Sequence, residues 1–172
     1  MRNQKGFTLI ELVVVLVVLS LLAAVAVPKF IEVTKQAEAS SVKGVLGNLR
    51  SALSLRMAQG IINGDDMAKW AYDGTVEADR LYPMQDLLIE KPEAYLGVVS
   101  NSTDRGAWFD DAENHELVYV FKNDDVLSGG SGTSPRTLRF HIVRVDEDGV
   151  VSGAGETAGL VLSPVSTYSW NY

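Results

Sequence analysis

Residues 7–27 form an almost unbroken apolar run whose only charge is Glu11. At ~1.5 Å per residue such a run makes a helix roughly 30 Å long, enough to cross a bilayer core. Past Pro28 the pattern changes. Phe30, Ile31, Ala37, Val42, Val45, Leu46, Leu49, Leu53 and Met57 recur at mixed three- and four-residue steps, while Lys29, Glu32, Lys35, Glu38, Lys43 and Arg50 lie mostly off that stripe. The two patterns predict one helix from Thr8 to about Ile62, with Asn63-Gly64 as its stop. A bend is expected near Pro28, which lacks a donor and crowds the preceding turn. The first half, apolar all round, suits lipid or the centre of a helical bundle; the second half suits a sheet. Gly44 and Gly47 cost about 1 kcal/mol each in helix propensity and allow close approach of a packed sheet or a neighbouring helix.

From 63 to 105 the periodicity is weak. Short helices are expected at 67–72 and at 83–90, the second starting on Pro83, and the whole stretch reads as a variable helix-to-sheet connection. Alternation then predicts strands at 107–110 and 116–122 around a turn at 111–115. Ser128-Gly129-Gly130-Ser131-Gly132-Thr133-Ser134-Pro135 has the composition of a flexible loop. Leu138, Phe140 and Ile142 share a strand face, and the phase slips at Val143-Arg144-Val145, which predicts a bulge. Asp148-Gly149 signals a tight turn into Val150 and Val151. A last strand at 160–165 precedes the aromatic tail Tyr168, Trp170, Tyr172. The expected fold class is α+β: a long bent N-terminal helix packed on a small antiparallel β-sheet of about four strands, the sheet region occupying 106–172.

Charge adds an orientation. Arg2 and Lys5 precede the apolar run and no basic residue lies inside it, so the N-terminus is expected on the cytoplasmic side and the polar domain outside. The net charge of −7 argues against nonspecific nucleic-acid binding by the isolated subunit. There is no cysteine, so the C-terminal region must be held by packing, hydrogen bonds, neighbouring subunits or a metal. A carboxylate at membrane depth costs at least ~2.5–3.5 kcal/mol on insertion scales, less near an end, so Glu11 is expected to have a partner.

Lys5-Gly6-Phe7-Thr8-Leu9-Ile10-Glu11-Leu12, the aliphatic helix and Pro28 together resemble the N-terminus of type IV pilins and of the pseudopilins of type II secretion. The resemblance spans roughly the first 30 residues, with a weaker likeness to the mannose-sensitive haemagglutinin type of pilin up to about residue 62. It implies a prepilin with a leader at 1–6, a membrane and filament-core helix at 7–28, and the amphipathic half of the same helix at 29–62. A membrane peptidase would cut between Gly6 and Phe7, next to Lys5, and the new N-terminal Phe7 would be methylated. Cleavage would leave 13 basic against 22 acidic side chains, a net −9 before the new amine. Glu11 falls on the family's assembly glutamate, with the amine of Phe7 on a neighbouring subunit as its natural cation, and Pro28 on the helix-kinking proline. The implied function is a non-enzymatic structural subunit of a pilus-like filament. Its partners would be identical or related subunits, the prepilin peptidase and the inner-membrane assembly machinery. Three alternatives stand beside it: a secretion pseudopilin, a membrane-anchored periplasmic binding domain that never assembles, and a conventional secretory signal cut after Ala24-Val25-Ala26.

Other chemistry finds little support. His115 sits in an expected turn and His141 on a polar strand face, so both read as solvated surface histidines. No Gly-rich phosphate loop joins a strand to a helix. Asp146-Glu147-Asp148-Gly149 looks like half a calcium loop, and Asp110, Asp111, Glu113, Asp124 and Asp125 add oxygens, but EF-type spacing is absent. Asp146 and Asp148 are weak metal candidates and no cofactor is expected. With no aromatic residue between Phe30 and Trp70, a ring stack for electron transport along a filament is not indicated.

Overall fold

The computed structural model describes residues 6–72, 80–132, 134–146 and 158–171. Thr8 starts the long helix. Its extended backbone puts the hydroxyl on the N–H of Glu11 while the Glu11 carboxylate accepts from the Thr8 N–H, a reciprocal cap that satisfies two N-terminal donors. From there α1 runs over Leu9–Asn63, with Pro28 inside it, and stops where Gly64 adopts a φ of 75°. Asp65 N–H bonds the Gly60 carbonyl and Gly64 N–H bonds that of Ile61, an ending that only a left-handed residue completes without strain. The start and stop lie within a residue or so of those expected.

The packed stripe of α1 begins later than the sequence suggested. Ala39, Val42, Leu46, Leu49, Leu53 and Gly60 are the buried positions, whereas Phe30, Ile31 and Ala37 are exposed. Each buried leucine contributes roughly 1.5–3 kcal/mol by leaving water. At Gly44 and Gly47 a Cβ added at either meets nothing within 4 Å, so of the two approaches allowed there the helix's own sheet does not make one. The close approach is at Gly60, where an added Cβ would sit 2.6 Å from the Trp70 ring.

After α1 come a 3₁₀ turn at Met67–Trp70 and a one-turn helix α2, Pro83–Leu87, with proline at its first position as expected. The sheet then departs from the expected meander. β1 (Tyr95–Val99) falls in the stretch assigned to the variable connection, and it pairs parallel to β2 (Trp108–Asp111). β3 (Leu117–Val120), β5 (Thr137–Val145) and β6 (Gly159–Pro164) extend the sheet antiparallel in the order β1-β2-β3-β5-β6. Because β1 and β2 are parallel, residues 100–107 must return along the sheet. Phe109, Val118 and Val120 are fully buried in a second cluster, separate from the one that α1 packs on, with Val99 against it. The bulge expected at 143–145 is absent: β5 stays in register with β6 from Phe140 to Val145. Both Ile142 and Val143 are buried because both faces of β5 are covered there.

The Gly/Ser-rich loop is partly a strand. β4 (Leu127–Gly129) pairs antiparallel with β7 (Tyr168–Trp170), so a second, two-stranded sheet anchors the tail. Trp170 and Tyr168 pack against the main core, and the Ser128 hydroxyl donates to Asn171 at 2.6 Å. Hydrogen bonds and packing therefore hold the end of a chain that has no disulfide. The turn expected at Asp148-Gly149, with Val150 and Val151, and the aromatic Tyr172 lie outside the described residues.

Candidate functional site: an unpartnered apolar helix half

The unusual feature of this molecule is the first half of α1. Phe7 is 81% exposed, Leu9 80% and Leu22 63%, and none of the most apolar 18-residue window of the helix is buried. By length and composition this segment is able to cross a membrane. A surface of this kind is far larger than water-facing proteins tolerate, so it marks a contact with lipid or with other protein.

Glu11 is the one charge on it. Both the backbone N–H of Thr8, at 3.0 Å, and its hydroxyl, at 2.8 Å, donate to the same carboxylate oxygen, Oε2. Thr8-Leu9-Ile10-Glu11 is a capping-box signature written in the sequence, and it marks Thr8 as the cap of the helix rather than its first residue. Pro28 lies inside the helix without ending it. Its missing N–H leaves the carbonyl four residues earlier without that helical donor. Gly6 and Phe7 are exposed and precede the first turn, an accessible chain segment. Lys5 lies outside the described residues.

Four of the acidic residues that could ligate a metal, Asp110, Asp111, Asp124 and Asp125, are engaged otherwise. Asp110, fully buried, accepts from Met84 N–H at 3.2 Å, Gln85 N–H at 2.7 Å and the Tyr95 hydroxyl at 2.7 Å. It thereby caps α2 from β2 and ties the connection to the sheet. Burial pushes its carboxyl up to about 6 despite those donors. Burial acts to raise Asp111 too, but the N–H groups of Glu113 and Asn114 and the guanidinium of Arg139 hold it below the usual carboxylate range. Asp124 pairs with Arg105 through two bonds of 3.0 Å, which holds it far down. Asp125 faces Lys35 at 3.5 Å. Among the described residues no group of three or more His, Asp or Glu side chains is arranged to hold a metal. Asp146 is half-buried, and Asp148 lies outside the described residues.

The histidines are not solvated, contrary to expectation. His115 is 8% exposed and stacks on Tyr82 at 4.2 Å between ring centroids. His141 is half-buried against Tyr72 at 5.0 Å. Burial holds both imidazoles below their ordinary range. Their partners Tyr72 and Tyr82 come from the poorly periodic connection, so no local pattern marks the stacks.

The first 27 residues match the model of the prokaryotic N-terminal methylation motif. The chain is 44% identical over 140 residues to a type IV narrow pilus major component of Thermus thermophilus, covering 81% of this chain and 98% of that protein. It is 32% identical over 76 residues to a type IV major fimbrial protein of Dichelobacter nodosus, 44% of this chain and 49% of that one. It is also 43% identical over 54 residues to the type II secretion system core protein G of Pseudomonas aeruginosa, 31% of this chain and 38% of that protein. No solved structure matches it.

Proposed function

The chain belongs to the type IV pilin family, and from that premise we propose that it is the structural subunit of a pilus filament, assembled through the first half of α1. One observation carries the reading. The likeness to the Thermus pilus component extends over 98% of that protein and so includes the sheet domain, whereas the likeness to the secretion protein stops at 38%. A secretion pseudopilin is therefore the second reading.

The subunit is made as a precursor whose apolar helix half waits in the inner membrane with Arg2 and Lys5 on the cytoplasmic side. A prepilin peptidase removes residues 1–6, and Phe7 becomes the methylated terminus. The accessible Gly6–Phe7 segment and the methylation-motif match support this step. Assembly machinery then moves the helix from lipid into a bundle of like helices. That transfer gains little hydrophobic energy, because lipid tails are as apolar as leucine. Direction and register must come from elsewhere. Glu11 supplies them by pairing with the Phe7 ammonium of a neighbouring subunit, a charge too costly to bury alone. The role is one of packing and needs no catalytic group or bound cofactor. Intact mass of sheared filaments tests the proposal: the expected chain begins at Phe7 and carries one methyl group. A chain beginning at Met1 or Val27, or a strain whose filaments lack this protein, overturns it.

A further inference from the structure

Two ring stacks dock the connection that follows α1 onto the sheet. Tyr72 lies on His141 of β5, with ring centroids 5.0 Å apart and planes inclined by 20°. Tyr82 lies on His115, in the turn after β2, at 4.2 Å and 11°. Each stack has one accompanying bond: Tyr72 N–H donates to the Ile142 carbonyl at 2.7 Å, and the Tyr82 hydroxyl to that of Ala112 at 3.4 Å. A phenylalanine ring would stack as well. Histidine adds a group that takes up a proton near neutral pH.

The surroundings of both rings suit the neutral form. Nδ1 of His115 and Nδ1 of His141 are buried and meet no acceptor among the described residues, so an imidazolium would strand an N–H at each. Arg80, itself 5% exposed, sets its guanidinium 5.2 Å over the Tyr72 ring and opposes a positive charge on His115. The carboxylates nearby are already taken. Asp111 and Glu116 both accept from Arg139, which lies on the same strand as His141, and Asp86 accepts from the Tyr82 N–H at 2.7 Å. Burial first, and Arg80 next for His115, hold the docked imidazoles below their ordinary range. The Arg80 carbonyl, Asp86 and Asp111 pull the other way on His115, and Glu116 on His141, with less effect. A histidine freed from its stack therefore binds a proton more tightly, and falling pH favours the freed state.

We propose that His115 and His141 form an acid-operated catch: in mild acid Tyr72 and Tyr82 let go of the sheet while the rest of the domain stays folded. Both ends of the connection have a second anchor that contains no histidine. Trp70 and Ala71 on one side and Met84 on the other belong to the main core, on which the buried stripe of α1 also packs. Release is thereby confined to the two tyrosines and the residues beside them. Asp110, which accepts from the N–H groups of Met84 and Gln85, titrates near 6 as well. Its raised value favours the docked state in acid, so it keeps α2 in place while the stacks open. The catch goes beyond the filament reading and does not rest on it.

Hydroxyl-radical footprinting of the full chain in detergent micelles, read residue by residue by mass spectrometry, tests the catch. Oxidation of Tyr72 and Tyr82 is compared with that of Tyr119 and Phe121, which are 5% and 0% exposed in the main core. Between about pH 7.5 and about pH 5 the first pair is expected to become about threefold more reactive relative to the second. His141→Phe keeps a ring on Tyr72 and is expected to abolish the response at Tyr72 alone. His115→Asn suits the φ of 54° at that position and is expected to abolish the response at Tyr82 alone. Equal reactivity of the two tyrosines at both pH values overturns the catch. A response that persists in both variants overturns the histidines as its cause, and a rise shared by Tyr119 and Phe121 overturns a local release.

Discussion

In the second half of α1, Ala39, Val42, Leu46, Leu49 and Leu53 are at most 2% exposed; in the first half Val15 is 46% exposed and Ile10 71%. One continuous helix therefore serves two solvents. Its second half is stable because a sheet supplies the other side of its stripe. Its first half has a capped start but is rich in valine, a weaker helix former than leucine or alanine, and gains its packing only from lipid or other copies. A disturbance in one half should accordingly leave the other untouched.

The largest expected effect lies in the exposed half. Glu11→Ala should abolish filament recovery while membrane insertion and leader removal proceed, since the helix only becomes more apolar and the cleavage point is a turn away. Losing Glu11 also removes the carboxylate's half of the reciprocal cap, the bonds it accepts from the Thr8 N–H and hydroxyl, while the Thr8 hydroxyl still accepts from the backbone N–H of residue 11. Thr8→Ala separates the two roles: it removes the hydroxyl bond and leaves the carboxylate. Filaments should persist in Thr8→Ala and vanish in Glu11→Ala, as judged by sheared protein per cell. Equal loss in both would mean that the cap, not the intersubunit pair, is what assembly needs.

Leu46→Ala should do the reverse. It opens a cavity between α1 and the sheet and should cost about 2–5 kcal/mol of domain stability in chemical denaturation. Leu16→Ala, at an exposed site, should not move the midpoint of the domain's unfolding. Gly60→Ala belongs with Leu46→Ala, because the new methyl group meets the Trp70 ring and overpacking of that kind costs about 1–3 kcal/mol.

What was legible follows the same division. The helix ends, the apolar run and the stripe from Val42 to Met57 depend on local periodicity, and residues 7–64 displayed it. The cap at Thr8 is equally local, since Thr8-Leu9-Ile10-Glu11 spells it without any tertiary contact. β1 was not legible. Leu96 and Val98 point outward around Gly97, and the strand is defined by its parallel neighbour β2 rather than by its own alternation. Asp110 looked like a stray acid because the donors it caps, Met84 and Gln85, lie far away in sequence. Tyr72 on His141 and Tyr82 on His115 are contacts of the same nonlocal kind.

The pH dependence sharpens the comparison, because the groups with marked shifts outside the membrane segment belong to the sheet domain and its connection. Asp110 has a folded value near 6 against an ordinary 3.8, so the native state holds its proton more tightly than the unfolded chain. Its contribution to stability is present below about pH 4 and is lost as pH rises through 6, by up to about 3 kcal/mol. His115 and His141 act oppositely: their lowered values mean that stability falls as pH drops below 6.5. Unfolding between pH 4 and 7 should show partial cancellation. Asp110→Asn should remove the Asp110 part, leaving a curve that only rises with pH across that window. An unchanged profile would show that Asp110 keeps an ordinary carboxylate in the folded domain.

The smallest effect concerns Gly44 and Gly47. Both are exposed on the domain half of α1, and a methyl group at either position enters open space in the isolated subunit. Alanine at each should therefore stabilise the domain by about 0.5–1 kcal/mol, because glycine lowers helix propensity and nothing nearby opposes the change. A gain in the monomer is what the fold alone predicts. The filament poses a separate question, since glycine also permits a neighbouring helix to come closer than any other residue allows. If Gly44→Ala and Gly47→Ala raise the denaturation midpoint and filaments form at the normal level, these glycines serve no contact and their helical cost has no structural return. If the midpoint rises while filament recovery falls, a second copy approaches α1 at those positions, on a side of the helix that its own sheet leaves uncovered.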